Sequence, residues 1–231
     1  DKLDNLAATF LRGLIPTGSQ DPFALRRQTI GAVNILTDGK IHWDIRRGIE
    51  AALALLPGDE ETKKTVLSQI EDFFRQRIKA IMLDEGIAYD IIDAVLAGPV
   101  DDIYALFLKA RSMAESQLKG EAELRQAVTR LANITKGKTG GKVDPSLFTE
   151  DVEKNLQDAF EAVSAKALPL FASYEYGKAL PALKELTAPI NDYLDNVMVM
   201  VDDEAVKNNR ISQLLATLAL FNTWGDFSKL V

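Results

Sequence analysis

Apolar residues recur at helical spacing along almost the entire chain, and no stretch alternates convincingly as a strand would, so an all-α fold is expected. Leu3, Leu6, Ala7, Phe10, Leu11 and Leu14 already form a stripe, which places the start of the chain inside a helix. Pro16 and Gly18 break that helix, Asp21 is placed to cap the next, and Pro22 suits its first turn. The pattern then predicts helices over about 22–37, 43–56, 60–83 and 89–96, with Pro57-Gly58 and Gly98-Pro99 as stops. Beyond a soft boundary at Gly98-Pro99, a helix capped by Asp101 or Asp102 runs to about Leu118, and another covers about 121–135. Further helices are expected from about Glu150, kinked near Pro169, between Tyr174 and Leu186, and over about 203–221.

Between these elements, Lys136-Gly137-Lys138-Thr139-Gly140-Gly141-Lys142 is basic, glycine-rich and without apolar anchors, and reads as a mobile loop. Val197 to Val201 reads either as an extended piece or as a buried turn of helix, with Met198 and Met200 interior. Residues 16–97 are expected to form a helical linker or body region, and residues 98–231 a self-contained helical bundle.

Composition narrows the chemistry. With 47% hydrophobic and 26% charged residues, the 231-residue chain has ample material for a core. No apolar run approaches the roughly 20 residues of a membrane span, and no secretory leader is read. The absence of cysteine removes disulfides, thiolate metal sites and cysteine nucleophiles, and suits a reducing, cytoplasmic setting. His42 is the single histidine, so a histidine-based metal site or nucleophile–base pair is not expected, and it reads as a loop or helix-start residue. The clusters Asp84-Glu85, Asp101-Asp102 and Asp202-Asp203-Glu204 read chiefly as helix-terminal carboxylates. Gly137-Lys138-Thr139 imitates the end of a phosphate loop, but its opening glycine would fall at Ala132 inside a helix with no strand before it. No catalytic residue, metal or cofactor is therefore assigned.

Recognition remains. The net charge of -7 argues against binding nucleic acid over the whole surface, yet Lys119, Arg125, Arg130, Lys136, Lys138 and Lys142 cluster against only Glu121 and Glu123. On the helix expected over 121–135, Leu124, Ala127, Val128, Leu131 and Ile134 share one face, and Gln126, Thr129, Arg130 and Asn133 lie opposite. That face suits phosphates and unstacked bases of single-stranded RNA; a plain solvated surface fits it as well. On the final helix, Asn209 and Gln213 lie opposite the stripe from Ile211 to Phe221, with Arg210 at one flank. Trp224 and Phe227 read as core in preference to stacking platforms, and Arg27 faces outward, toward RNA, a partner or an ion pair.

Three stretches in order carry a resemblance. They are Ile15-Pro16-Thr17-Gly18-Ser19-Gln20-Asp21-Pro22-Phe23-Ala24-Leu25-Arg26-Arg27, Val197-Met198-Val199-Met200-Val201-Asp202-Asp203-Glu204 and Asn208-Asn209-Arg210. With them the chain resembles the C-terminal third or so of the β subunit of bacterial heterotetrameric glycyl-tRNA synthetase. The resemblance implies that residues 1–15 end an upstream helical domain and that 98–231 form an anticodon-binding bundle similar to that of arginyl-tRNA synthetase. It implies a non-catalytic, tRNA-binding, cytoplasmic part of glycine–tRNA ligase, with glycine activation and ATP use handled with the α subunit. It names glycine tRNA and the α subunit as partners, with no DNA and no membrane. The tRNA contacts expected are Arg125, Arg130, Asn133, Lys136, Lys138, Lys142, Asn209 and Arg210. A basic residue is common in the family where this chain has Thr129. The rival expectation is a scaffold that docks the α subunit without touching RNA.

Overall fold

A computed structural model describes residues 1–17 and 20–231, so Gly18, to which the first helix break was partly assigned, lies outside the described residues. Eleven α-helices and four short 3-10 turns occur among the described residues, with isolated bridges but no strand. The helices are α1 (Lys2–Leu11), α2 (Leu25–Asp38), α3 (Ile45–Ala54), α4 (Glu60–Asp84), α5 (Tyr89–Val95) and α6 (Ile103–Glu115). They continue as α7 (Ala122–Thr135), α8 (Asp151–Ala172), α9 (Leu180–Lys184), α10 (Thr187–Asn196) and α11 (Glu204–Asn222). The all-α expectation is met. The chain divides into two compact units, residues 1–92 with 98–110, and residues 93–97 with 111–231.

In the first unit α1 packs on α3 and α4, and α2 packs on α1 and α4. Leu6, Phe10, Ile49, Ile70, Phe74 and Ile78 are buried, and Phe10 meets Phe73 edge-on at 5.2 Å between ring centroids. The first break comes earlier than Pro16: α1 ends at Leu11, with Gly13 at φ 71°, a left-handed turn that glycine adopts without penalty. Asp21 does cap α2, but across an intervening turn: its carboxylate accepts from the N–H groups of Leu25 and Arg26 at 2.8 and 3.0 Å. Pro22 therefore sits in that turn and not in the helix. Asp44, Asp59 and Asp102 cap their helices through local backbone N–H groups. The Asp102 carboxylate also meets His42 Nδ1 at 2.8 Å, which ties the loop before α3 to the start of α6.

The second unit is organised around α11, which touches α7 and α8. The stripe expected on α11 is present, but the opposite side is not solvated. Asn209, Arg210, Ser212, Gln213 and Thr217 are buried together with Ile211, Leu214, Leu220 and Phe221. A helix can be enclosed on all sides only if each polar side chain finds a partner there. Arg210 Nε and Nη2 donate to the two oxygens of Glu153 at 3.0 and 3.1 Å, Nη1 to the Met198 carbonyl at 2.8 Å, and Nη2 also to Thr149 Oγ1 at 2.7 Å. Gln213 Nε2 donates to the Glu153 carbonyl at 2.6 Å. Glu153 Oε2 accepts in addition from the backbone N–H groups of Thr149 and Glu150, both at 2.9 Å, closing the first turn of α8. Trp224 and Phe227 complete the core as expected, with ring centroids 5.8 Å apart. Helix α10 has no counterpart among the expected elements.

Two outcomes test this packing. Burial raises the pKa of Glu153, but the Arg210 hydrogen bonds and the N–H groups of Thr149 and Glu150 outweigh it, leaving the carboxyl below its ordinary value. Its contribution is therefore fully present above the unfolded glutamate value, roughly pH 4.3, and lost as pH falls through the lower folded value. Glu153→Gln should destabilise by about 3 kcal/mol at neutral pH, because Arg210 keeps a buried charge with no counter-ion. The gap to the unsubstituted chain should narrow in acid, read from unfolding midpoints against pH. In the first unit, a Cβ on Gly48 would overlap the Trp43 ring. Gly48→Ala should displace that half-exposed indole and shift tryptophan emission to the red, while buried Trp224 stays unchanged.

Candidate nucleic-acid interface

Helix α7 turns Leu124, Ala127, Val128 and Leu131 inward and leaves Gln126 and Asn133 exposed. Its two arginines differ from the expectation of free cations. Arg125 donates to the carbonyls of Leu230 and Lys119, both at 3.0 Å, and so pins the C-terminal segment onto α7. Arg130 is half-buried and spans to α10, donating to Asn191 Oδ1 at 3.0 Å and Asp195 Oδ1 at 2.5 Å. Its charge is neutralised at the surface, with one side still open to solvent.

The segment after α7 carries the lysines. Gly137 takes a left-handed φ of 71°, and the Lys138 N–H returns to the Thr135 carbonyl at 3.0 Å, turning the chain off the helix end. The segment then lies along α11. Gly141 N–H donates to Ser212 Oγ at 2.9 Å, and Asp144 exchanges two hydrogen bonds with Asn209, its N–H to Oδ1 at 2.7 Å and its carbonyl from Nδ2 at 3.0 Å. At Gly140 the backbone approaches so closely that an added Cβ would stand 3.2 Å from the Ser212 Cα. Gly140 thus serves close approach, and the expected mobile loop is a strap fastened along α11.

Fastening the backbone leaves the side chains free. Lys136 and Lys142 are exposed and Lys138 is half-buried, and none of them forms an ion pair among the described residues. The nearby Asp144 carboxylate is held ionised chiefly by the Ser146 hydroxyl and N–H, with Lys142 adding a weaker pull.

Asn209 and Arg210, expected to face tRNA, are corrected by the structure. Asn209 holds the strap and Arg210 holds Glu153, so neither offers a polar group outward. Arg125 is likewise occupied within the fold. The methionines are reversed too: Val197 and Val199 are buried, while Met198 and Met200 are exposed. The Val-Met-Val-Met-Val alternation is the signal that could have revealed this, since period-2 spacing puts the branched residues on one side. Arg27 on α2 is exposed and forms no ion pair among the described residues.

No group of three or more His, Asp or Glu side chains placed to hold a metal occurs among the described residues, and no helix among them is long and apolar enough to cross a membrane. The arrangement is suited to holding a polyanion through unpaired ammonium groups on a rigid strap, beside an exposed amide at Asn133.

Comparison with known proteins agrees in both halves. Residues 1–97 match the family model of the glycyl-tRNA synthetase beta subunit, and residues 124–225 match the DALR anticodon binding domain. The glycine–tRNA ligase beta subunit of Clostridioides difficile is 38% identical over the full chain, which covers 34% of that relative. The corresponding subunit of Desulforamulus reducens is 35% identical over the full chain, and that of Desulforudis audaxviator 37% identical over 99% of it, each again covered to 34%. The chain spans about a third of the length of the curated relatives it matches. Its two regions thus match, in this order, the glycyl-tRNA synthetase beta subunit family and the DALR anticodon binding domain, and the whole chain is similar to glycine–tRNA ligase beta subunits.

Proposed function

We propose that this chain is the tRNA-binding part of a glycine–tRNA ligase β subunit, and that it grips the anticodon stem-loop with the end of α7 and the strap that follows. It performs no bond-making step of its own. It supports ATP-dependent glycylation in the cytoplasm by holding tRNA while the α subunit activates glycine. The observation that carries this reading is the set of unpaired cations, Lys136, Lys138 and Lys142, on a backbone fastened to α11 within the region that matches an anticodon binding domain. A rigid strap lowers the ordering cost of binding, and each lysine that meets a phosphate releases condensed counter-ions. Asn133, exposed one turn before Lys136, supplies an amide that can read a base edge. Arg130 contributes a positioning charge shared with Asp195.

Residues 98–231 then serve as the RNA-gripping bundle and 16–97 as the body that joins it to the rest of the subunit. Replacing Lys136, Lys138 and Lys142 together with alanine should leave folding intact, because none of them is tied to a described carboxylate. Affinity for glycine tRNA should fall, and the slope of log K against log salt should flatten by about 2 to 3. Filter binding over a salt series checks both. Normal binding and normal charging by the triple variant, with assembly on the α subunit intact, would instead identify a docking scaffold. Titration with anticodon-substituted tRNA separates base reading from phosphate gripping.

A further inference from the structure

The segment that follows α10 alternates sharply in exposure. Val197 and Val199 are 6% and 8% exposed, whereas Met198 and Met200 are 73% and 54% exposed. The other methionines, Met82 and Met113, are fully buried, so the exposed pair is not a general habit of the chain. Nor is the segment loose. The Val197 N–H donates to the Tyr193 carbonyl at 2.9 Å, and the Met198 carbonyl is held by Arg210 Nη1 at 2.8 Å. Arg210 is itself fixed by Glu153, so a buried ion pair anchors the backbone at Met198.

The position of the pair identifies its occupant. Arg210 holds Met198, its neighbour Asn209 holds Asp144 at the end of the strap, and Ser212 holds Gly141. The methionine segment and the lysine strap are therefore fastened to the same short stretch of α11. Arg130, near the end of α7, pairs with Asp195 just before the segment begins. Asp203 is committed to the N–H groups of Ala205 and Val206, and Glu204 to Lys207, while Asp202 stays exposed beside Met200. The cations thus lie on the strap, and the methionine segment is fastened through Arg210 to the same stretch of α11 that holds it.

Resting on the tRNA-binding reading above, we infer that Met198 and Met200 form an apolar pad that receives an unstacked base of a single-stranded RNA loop gripped by Lys136, Lys138 and Lys142. A thioether is polarizable and adaptable, and its contact with an aromatic ring is worth about twofold to tenfold in affinity. Such a contact tolerates different bases, so selection among them rests with amide groups such as Asn133.

The test uses the whole chain with an anticodon stem-loop RNA and with the same stem-loop made abasic in its loop. Met198→Gln with Met200→Gln should weaken the intact loop about fivefold to tenfold and leave both the abasic loop and the salt slope unchanged. Met198→Leu with Met200→Leu should bind as the unsubstituted chain does. In that unsubstituted chain, bound RNA should slow peroxide oxidation of Met198 and Met200 to sulfoxides. Equal weakening of both RNAs, or no weakening with no protection, overturns the inference. So does unchanged RNA binding with lost co-assembly on the α subunit, which would assign the pad to a protein. Loss of binding in the triple lysine variant alongside normal binding in the glutamine variant overturns the pad and leaves the strap reading standing. Normal binding in both refutes the tRNA-binding reading itself.

Discussion

The pairing of Arg210 with Glu153 determines most of what the second unit can present. Both side chains are almost completely enclosed, at 4% and 0% exposure, where a charge without a counter-ion is untenable. The pair survives because its hydrogen-bonding capacity is nearly filled: Arg210 reaches Glu153, Thr149 and Met198, and Glu153 reaches back to the first turn of α8. One ion pair thus joins α11, the start of α8 and the segment after α10. Burial pushes the phenol of neighbouring Tyr193 upward, as a water-poor surrounding demands. Hydrophobic isosteres could match such a pair in stability, but not in directing three chain segments at once.

From that pair outward, α11 works as a rail. Asn209 and Ser212 hold the strap, Arg210 holds the methionine segment, and Gln213 holds α8. Side chains committed inward in this way position others that are free: Lys136, Lys142, Asn133, Met198 and Met200. The residues expected to bind and those that set binding groups in place have exchanged roles. Asn209 and Arg210 act behind the surface, and Gly140 permits contact with α11 where mobility was expected.

The helical fold was legible because burial on one side of a helix imprints its period on sequence, and α4, α7 and α11 begin within about a residue of where that period placed them. Asp102, one of two expected caps, and Asp203, within a cluster expected at a helix end, were legible for a related reason, since a carboxylate at a helix start has a local partner; Asp44 and Asp59 cap in the same way without having been singled out. Legibility failed where partners are distant in sequence. A polar row on α11 looks the same whether it meets water or meets Glu153, Asp144 and Gly141, because those partners belong to other segments. Arg125 and Arg130 show the same limit, their acceptors lying on the C-terminal tail and on α10. Of the strap lysines, Lys136 and Lys142 are exposed and Lys138 half-buried, as long charged side chains without local acceptors tend to be.

An acidic chain can hold RNA only if its negative charge is placed where the phosphates do not go. Of the carboxylates nearest the strap and the methionine segment, Asp195 faces Arg130, Glu204 faces Lys207, and Asp203 satisfies helix N–H groups. Asp144 is bound to Ser146 and Asp202 remains open beside the apolar pad. At physiological ionic strength the field of an exposed charge decays within roughly 8 Å, so a phosphate on Lys136 or Lys142 senses its near neighbours far more than the distant surface. On the proposed reading, the net charge of -7 sets long-range repulsion against nucleic acid in general, while the strap would set the short-range attraction. A ligand that profits from both must bring few phosphates and unstacked bases to one small area, which describes a hairpin loop better than a duplex.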